Sequence, residues 1–501
     1  MLNQDLKNLA HLICSKGMRA LVSVCFLALL ARTLGPHGMG EWAMVAAAGS
    51  LVHSLFLNWM HPVTVRFGRE EFARSGSLAA TWASRWPLLL PGFAAAALLV
   101  LFVPVQWQGG LFHLEGSFAP YVLLALLGMW LAAETQNMLQ VRGEFARLGY
   151  LAVAADLCSV LVLLTLQWVM AAPPGVQLLL PLVLGGNVLV WSGCLFWVWK
   201  RSGWRWASPG PGELRRNLVY AWPLVPGFLL GFTSDWGDQL ILRHFFTSRE
   251  VGLFQSGYQL MMLMLGLSAV LASLLLPRLI DKTTGSEDGA RGFLAGAAPT
   301  SVALGLYLLI PAVTLLPLLF PLVMGEQYRE GGEVFVVLCA AIPGSIISSF
   351  YGVFFNVQGR FFRSTVVLGG VKIALNLTLS LLLVPRVGVM GSAVSTAISY
   401  CTLQCLYFWD QHRYYRVPSG RAFALYGVAV LFSLGQALSG TDYLARAAVC
   451  AGALALLTFF IRRLGILNRD IVVNLCSGPL AGVGRLILQL GGCGSLRGSN
   501  S

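Results

Sequence analysis

The sequence predicts an all-α polytopic membrane protein with about fourteen transmembrane helices, two pseudo-symmetric six-helix bundles and two further helices at the C-terminal end. Three observations lead there. Hydrophobic residues make up 57% of the 501 residues and charged residues only 11%, against about 25% charged in a soluble protein. Apolar stretches of membrane-spanning length, about 20 residues each, follow one another along the whole chain and leave no room for a second, soluble core. The charges between those stretches alternate in density from one connector to the next.

The spans fall at about 9–31, 41–60, 86–105, 119–140, 150–171, 178–199, 218–245, 252–277, 296–320, 334–357, 364–384, 391–409, 422–438 and 446–461. The first has basic residues ahead of its apolar core, Ala20–Ala31, and no small-x-small cleavage site, so it is expected to be an uncleaved span. The last two are short and are either spans or a hairpin. External connectors are brief, the longest around 106–118 and 321–333; the longest internal ones run over 61–85, 200–217 and 278–295. Within the tail, Ile466–Leu490 fits either an amphipathic helix at the membrane surface or a loosely ordered segment. The expected organisation is therefore a bundle over 1–199, a cytoplasmic linker over 200–217, a second bundle over 218–410, two additional spans over 411–461 and a cytoplasmic tail over 462–501. A repeat supports the two halves. "RTLGPHGMGEW" (32–42) joins spans one and two and "RHFFTSREVGLF" (243–254) joins spans seven and eight, each with an Arg closing one span and a Gly opening the next.

The net charge of +13 is topological in origin. With the N-terminus inside, 27 Lys and Arg residues fall on the cytoplasmic side and six outside, with Lys372 alone within a span. That is the positive-inside distribution, and it places both termini in the cytoplasm. The basic residues form no single face or tail, so nucleic acid is not an expected partner. Ten cysteines sit mostly in apolar segments and act as small hydrophobes. Cys401 and Cys405 lie one turn apart with no His or acid to complete a metal site.

Enzymatic signatures are missing. There is no Gly-x-x-x-x-Gly-Lys-Ser/Thr phosphate loop, no His-Glu-x-x-His, and no Gly-x-Ser-x-Gly opening a strand-to-helix turn. Asp235 and Asp238 in "SDWGDQ" resemble an acidic metal pair, but they sit late in a span at its external end, where nucleotide-sugar donors are absent. No catalytic residue, metal or cofactor is expected.

The spans do carry sparse ionisable residues, each costing a few kcal/mol at the bilayer centre and so expected to face a wet interior. Lys16, Arg19 and Ser23 share a face of span one; Asp235, Gln239 and Arg243 form an i, i+4, i+8 row in span seven. Lys372 lies roughly 12 Å into span eleven, with Asn376 one turn on. Glu134, Asn137 and Asp156 add further polar points. For Lys16 and Arg19 the competing reading is snorkelling to the headgroups; Arg243 fits an interface marker and Asp156 a paired structural charge. Lys372 is too deep to snorkel and needs an anion, a carboxylate or a hydrated cavity. Helix breakers cluster in span seven (Pro223, Pro226, Gly227, Gly231) and span nine (Pro299, Pro311, Pro317), where they permit bending.

Four motifs in register carry a family resemblance over about residues 10–410. "ALLARTLGPHGMGEWAMV" (28–45), "WPLVPGFLLGFTSDWGDQLILRHFFTSREVGLFQSGYQL" (222–260), "VMGEQYREGGEVF" (323–335) and "LNLTLSLLLVPRVGVMGSAVSTAISY" (375–400) resemble bacterial polysaccharide biosynthesis proteins, the O-antigen and exopolysaccharide flippases. That family shares a superfamily with multidrug and toxic-compound extrusion (MATE) transporters and lipid II flippases. The resemblance implies a V-shaped pair of six-helix bundles around a cavity that opens alternately to each side of a bacterial inner membrane. It implies a non-enzymatic transporter of polyprenyl-diphosphate-linked oligosaccharide for surface polysaccharide, with a polysaccharide polymerase or other export proteins as candidate partners. It also implies a cationic cavity, for which Lys16, Arg19, Lys372 and Asn376 are the candidates, with Asp235 and Asp238 as candidates for ion coupling. Fourteen spans instead of the twelve common among sugar flippases keep a lipid II-type flippase open. A cation-coupled drug antiporter is the other alternative, although it calls for an acidic, aromatic cavity. A polymerising or ligating membrane enzyme would need a sizeable external loop, and none is present.

Overall fold

A computed structural model describes residues 2–102, 119–169, 175–201, 211–285, 287–343, 366–410, 420–440 and 442–467, with a few isolated positions beyond them. Every regular element among these residues is helical. The chain forms two compact units, Met1–Ser256 and Gly257–Ser501.

In the first unit, α1 (Leu2–Phe56) contains both of the first two expected spans. Gly35 separates them, at φ 64° and ψ 176°, and Pro36 follows. A side chain at Gly35 would meet the left-handed penalty, and Pro36 has no N–H to continue the ladder, so the helix changes direction there. Next come α2 (His61–Ser75), α3 (Ala79–Phe102), α4 (Ala119–Val141), α5 (Phe145–Val169), α6 (Val176–Arg201), α7 (Pro211–Ala221) and α8 (Val225–Phe245). The unit closes on the start of α9 (Ser248–Gly285). α1 packs along α5, and α4 along α6.

The connector expected over 61–85 is instead α2 followed by the first turns of α3. Pro62 starts α2, and Gly76 ends it at φ 68°, its N–H donating to the Phe72 carbonyl at 2.9 Å. Glu71 then accepts from the N–H groups of Ala80 and Thr81 at 2.9 and 2.7 Å. This carboxylate caps the N-terminus of α3 and starts the helix at Ala79, seven residues before the expected boundary. Arg85 thereby moves from a loop into a helix.

The second unit holds the rest of α9, then α10 (Glu287–Met324), α11 (Arg329–Leu338), α12 (Gly369–Val387), α13 (Val389–Asp410), α14 (Gly420–Leu438) and α15 (Tyr443–Leu464). α12 and α13 form a hairpin through Gly388 (φ 63°). A Cβ on Gly391 would lie 2.7 Å from the Leu383 carbonyl, so that turn admits only glycine. α14 and α15 pack on each other and on α10. Both meet the length and apolarity of a membrane span, as do α1, α3, α4, α5, α6, α10, α12 and α13 among the described residues. The protein is thus an all-helical, multi-pass membrane protein. Most of the tail, including nearly all of Ile466–Leu490, lies outside the described residues, as do 103–118 and 346–365.

Candidate functional site

Ionisable side chains within the spans are held against partners, and the first unit contains two such groups. Arg19 of α1 donates from Nε to Asp156 Oδ2 of α5 at 2.8 Å. Ser15, one turn earlier, is buried where α1 crosses α5 at Gly149. Lys16 and Arg19 are exposed, and the Arg19–Asp156 pair gives Asp156 the role of a paired charge.

The second group lies deeper. Arg85 of α3 donates to Glu134 of α4 through both terminal nitrogens, at 2.6 and 2.9 Å, with each side chain almost fully buried. His61, the first residue of α2, places Nδ1 3.3 Å from Glu134 Oε2. His53, late in α1, brings its Nε2 3.3 Å from Nε2 of His61. Four elements are thus joined by one chain of titratable groups. A two-pronged guanidinium–carboxylate bond is the strong form of this interaction. A buried ion needs such a partner, because desolvation costs several kcal/mol per charge.

Sequence reasoning found Glu134 but neither of its partners, Arg85 and His61, nor His53 behind them. Arg85 looked like a loop cation, and His53 and His61 stood 81 and 73 residues away from the acid with no motif to join them. The available signal was Glu134 itself: a carboxylate in the middle of an apolar helix requires a counter-charge.

The two candidate acids of α8 differ in environment. Asp235 is exposed, whereas Asp238 is buried at 3%. Gln239, beside Asp238, donates to Gln255 of α9 at 2.9 Å.

In the second unit Lys372 of α12 is buried at 6%, and its Nζ lies 3.8 Å from the centre of the Tyr400 ring on α13. A desolvated ammonium over an aromatic face gains about 2 kcal/mol. One turn on, Asn376 Oδ1 accepts from Ser399 at 3.4 Å, and Ser380 bonds Ser395 a turn beyond. Lys372 and Asn376 therefore share a polar seam that runs between α12 and α13. At the far end of this unit Arg446 of α15 grips both oxygens of Glu333 on α11 at 2.6 Å. No cluster of three potential metal ligands occurs among the described residues.

Comparison with known proteins places this architecture. No family model matches the sequence. The lipid II flippase MurJ in an inward closed conformation superposes with a TM-score of 0.68 at 11% identity, covering 90% of this chain and 99% of that one. An inward-facing multidrug resistance MATE transporter of the MOP superfamily superposes at 0.56 and 13% identity, covering 83% and 98%. This chain has the fold of these transporters. Among curated sequences, it is 22% identical over 320 residues to a probable low-salt glycan biosynthesis flippase, Agl15, of Haloferax volcanii. That match spans 61% of this chain and 63% of the archaeal protein. The helical transporter fold that the four motifs imply is therefore present.

Proposed function

We propose that this protein is a flippase that moves polyprenyl-diphosphate-linked oligosaccharide between membrane leaflets by alternating access, without ATP and without covalent chemistry. Lys372 carries this reading: a cation buried inside an apolar helix of a transporter fold, lying on an aromatic ring and continued by a polar seam. An ammonium in that setting is a point charge suited to phosphate. Within the first unit, Lys16 and Arg19 are the other cations proposed for substrate contact, Arg19 held in place by Asp156. Asp235 and Asp238 remain the acids proposed for ion coupling. The glycan-flippase relative and the MurJ-like fold support the same class of substrate. The positive-inside count favours a cell membrane location, the inner membrane of a bacterium, with both termini inside.

The test is a strain lacking the gene and complemented with variants. Replacing Lys372 and Arg19 together by Ala should abolish surface polysaccharide while the protein inserts at the wild-type level. Lys372→Arg, which keeps the charge, should retain part of it. Normal polysaccharide in the double variant would remove the cationic-cavity assignment. Drug hypersensitivity of the deletion strain with intact polysaccharide would replace the flippase reading with the antiporter one.

A further inference from the structure

The His53–His61–Glu134–Arg85 chain plays no part in the function proposed above, and its geometry has a specific chemical consequence. Glu134 is ionised against Arg85 and can only accept hydrogen bonds. A lone pair on His61 Nδ1, 3.3 Å from Glu134 Oε2, would repel the carboxylate, so that nitrogen carries a hydrogen. With both rings neutral, His61 Nε2 is then a lone-pair acceptor, and the hydrogen between the rings belongs to His53 Nε2. The 3.3 Å gap admits one hydrogen and no more.

An added proton has one place to go. It bonds to Nδ1 of His53, and the ring becomes an imidazolium. The His53 Nε2–H bond can then break as the His61 Nε2–H bond forms, which delivers the positive charge to the ring beside Glu134. One N–H bond is gained in total, and no second proton fits.

The surrounding charges poise the pair. Glu134 attracts a cation at His61, while Arg85 has already neutralised that carboxylate, and the N-terminus of α2, which His61 begins, opposes a positive charge. His61 also lines a cavity of about 630 Å³ within the first unit, together with Asn58, Arg66, Arg69, Asn137 and Tyr220. Arg66 faces Glu70 on the same helix, and Arg69 donates to the Val141 carbonyl of α4. A cavity with several polar side chains in its lining thus adjoins the buried His61 ring.

We propose that His53 and His61 are a proton-binding site that takes one shared proton and couples it to movement within the first unit. Protonated, His61 competes with Arg85 for Glu134 and so draws α2 toward α4 at the expense of α3. The transport part of this proposal rests on the flippase reading; the proton site itself does not.

Two measurements on the full-length protein separate them. In nanodiscs, ¹⁵N-histidine spectra of the wild type should show one proton taken up by the two rings as a unit as the pH is lowered. His61→Gln and His53→Gln should each abolish that uptake, and either one suffices if the other does not fold. Two independent single-ring titrations, or no uptake, overturn the proposal. In proteoliposomes with a fluorescent polyprenyl-diphosphate oligosaccharide, a one-unit pH gradient should drive about tenfold asymmetric accumulation if one proton moves per lipid. The glutamine variants should lose that asymmetry, and its persistence in them overturns the coupling. No lipid movement by wild-type protein whose histidines still titrate as a pair removes the flippase reading and leaves the proton site standing.

Discussion

Arg85 and Glu134 show what a single buried charge demands of its neighbours. Neither is tolerable alone in this apolar setting, and together they bind three helices through one carboxylate. Arg85→Met or Glu134→Leu should each destabilise the protein by about 3–5 kcal/mol, because the remaining partner loses its compensation. The double replacement Arg85→Met with Glu134→Leu should recover much of that loss, since a well-packed apolar pair often matches a buried ion pair. Thermal unfolding in detergent reads both, and an additive loss in the double variant would refute the pairing energetics. Glu144, in the turn between α4 and α5, is the half-buried counterpart. Its partial burial would raise its pKa, but hydrogen bonds from Arg147 and Arg142 outweigh this and hold the carboxyl below its usual range. A carboxyl depressed in the folded state adds stability that is present above its unfolded pKa, about 4.3, and is lost as pH falls through the lower folded value. Melting temperature should therefore fall with acidification below about pH 4 more steeply in the wild type than in Glu144→Gln. The group lies near the surface and its partner Arg147 is exposed, so the difference should be small.

At the scale of elements, the two look-alike turns of the sequence meet each other. A Cβ on Gly40 would lie 1.8 Å from the Ser248 carbonyl oxygen, and one on Gly252 would lie 1.9 Å from the Pro36 carbonyl oxygen. Each turn thus supplies the glycine that admits the other's backbone, and neither obstacle is a side chain that could swing aside. Gly40→Ala and Gly252→Ala should each cost at least the 1–3 kcal/mol typical of overpacking, whereas Gly17→Ala, with nothing within 4 Å, should cost nothing. Differential scanning of the three variants checks the order. The sequence exposed these turns as a repeat, since spacing and glycine are local properties. It did not expose their contact, because about 210 residues of chain lie between them and only packing joins them. The start of α3 was hidden for a similar reason. Arg85 reads as a loop cation until Glu71 is seen to cap the helix six residues before it and Glu134 to receive its charge.

For the whole molecule, hydropathy made the helices legible because lipid forbids unsatisfied backbone groups, so an apolar stretch of spanning length has to be a helix. Lys372 and Asn376 stood out for the complementary reason, that polar groups are costly there. What stayed illegible was pairing: Asp156 with Arg19, Glu333 with Arg446 and Glu134 with His61 link positions far apart along the chain. The positive-inside count predicts an orientation across the membrane, and that prediction has a direct test. The turn at 325–328 carries a single external Arg nearby, while α7 adds Arg215 and Arg216 to a strongly basic side. The positive-inside rule puts the first outside and the second inside. Gln327→Cys and Glu213→Cys, each in a background with the native cysteines replaced by Ala, should therefore respond oppositely to a membrane-impermeant thiol reagent. Intact cells should label Cys at 327 and spare Cys at 213 until the membrane is permeabilised. Labelling of both, or of 213 alone, would invert or break the fourteen-span topology that the charge count predicts.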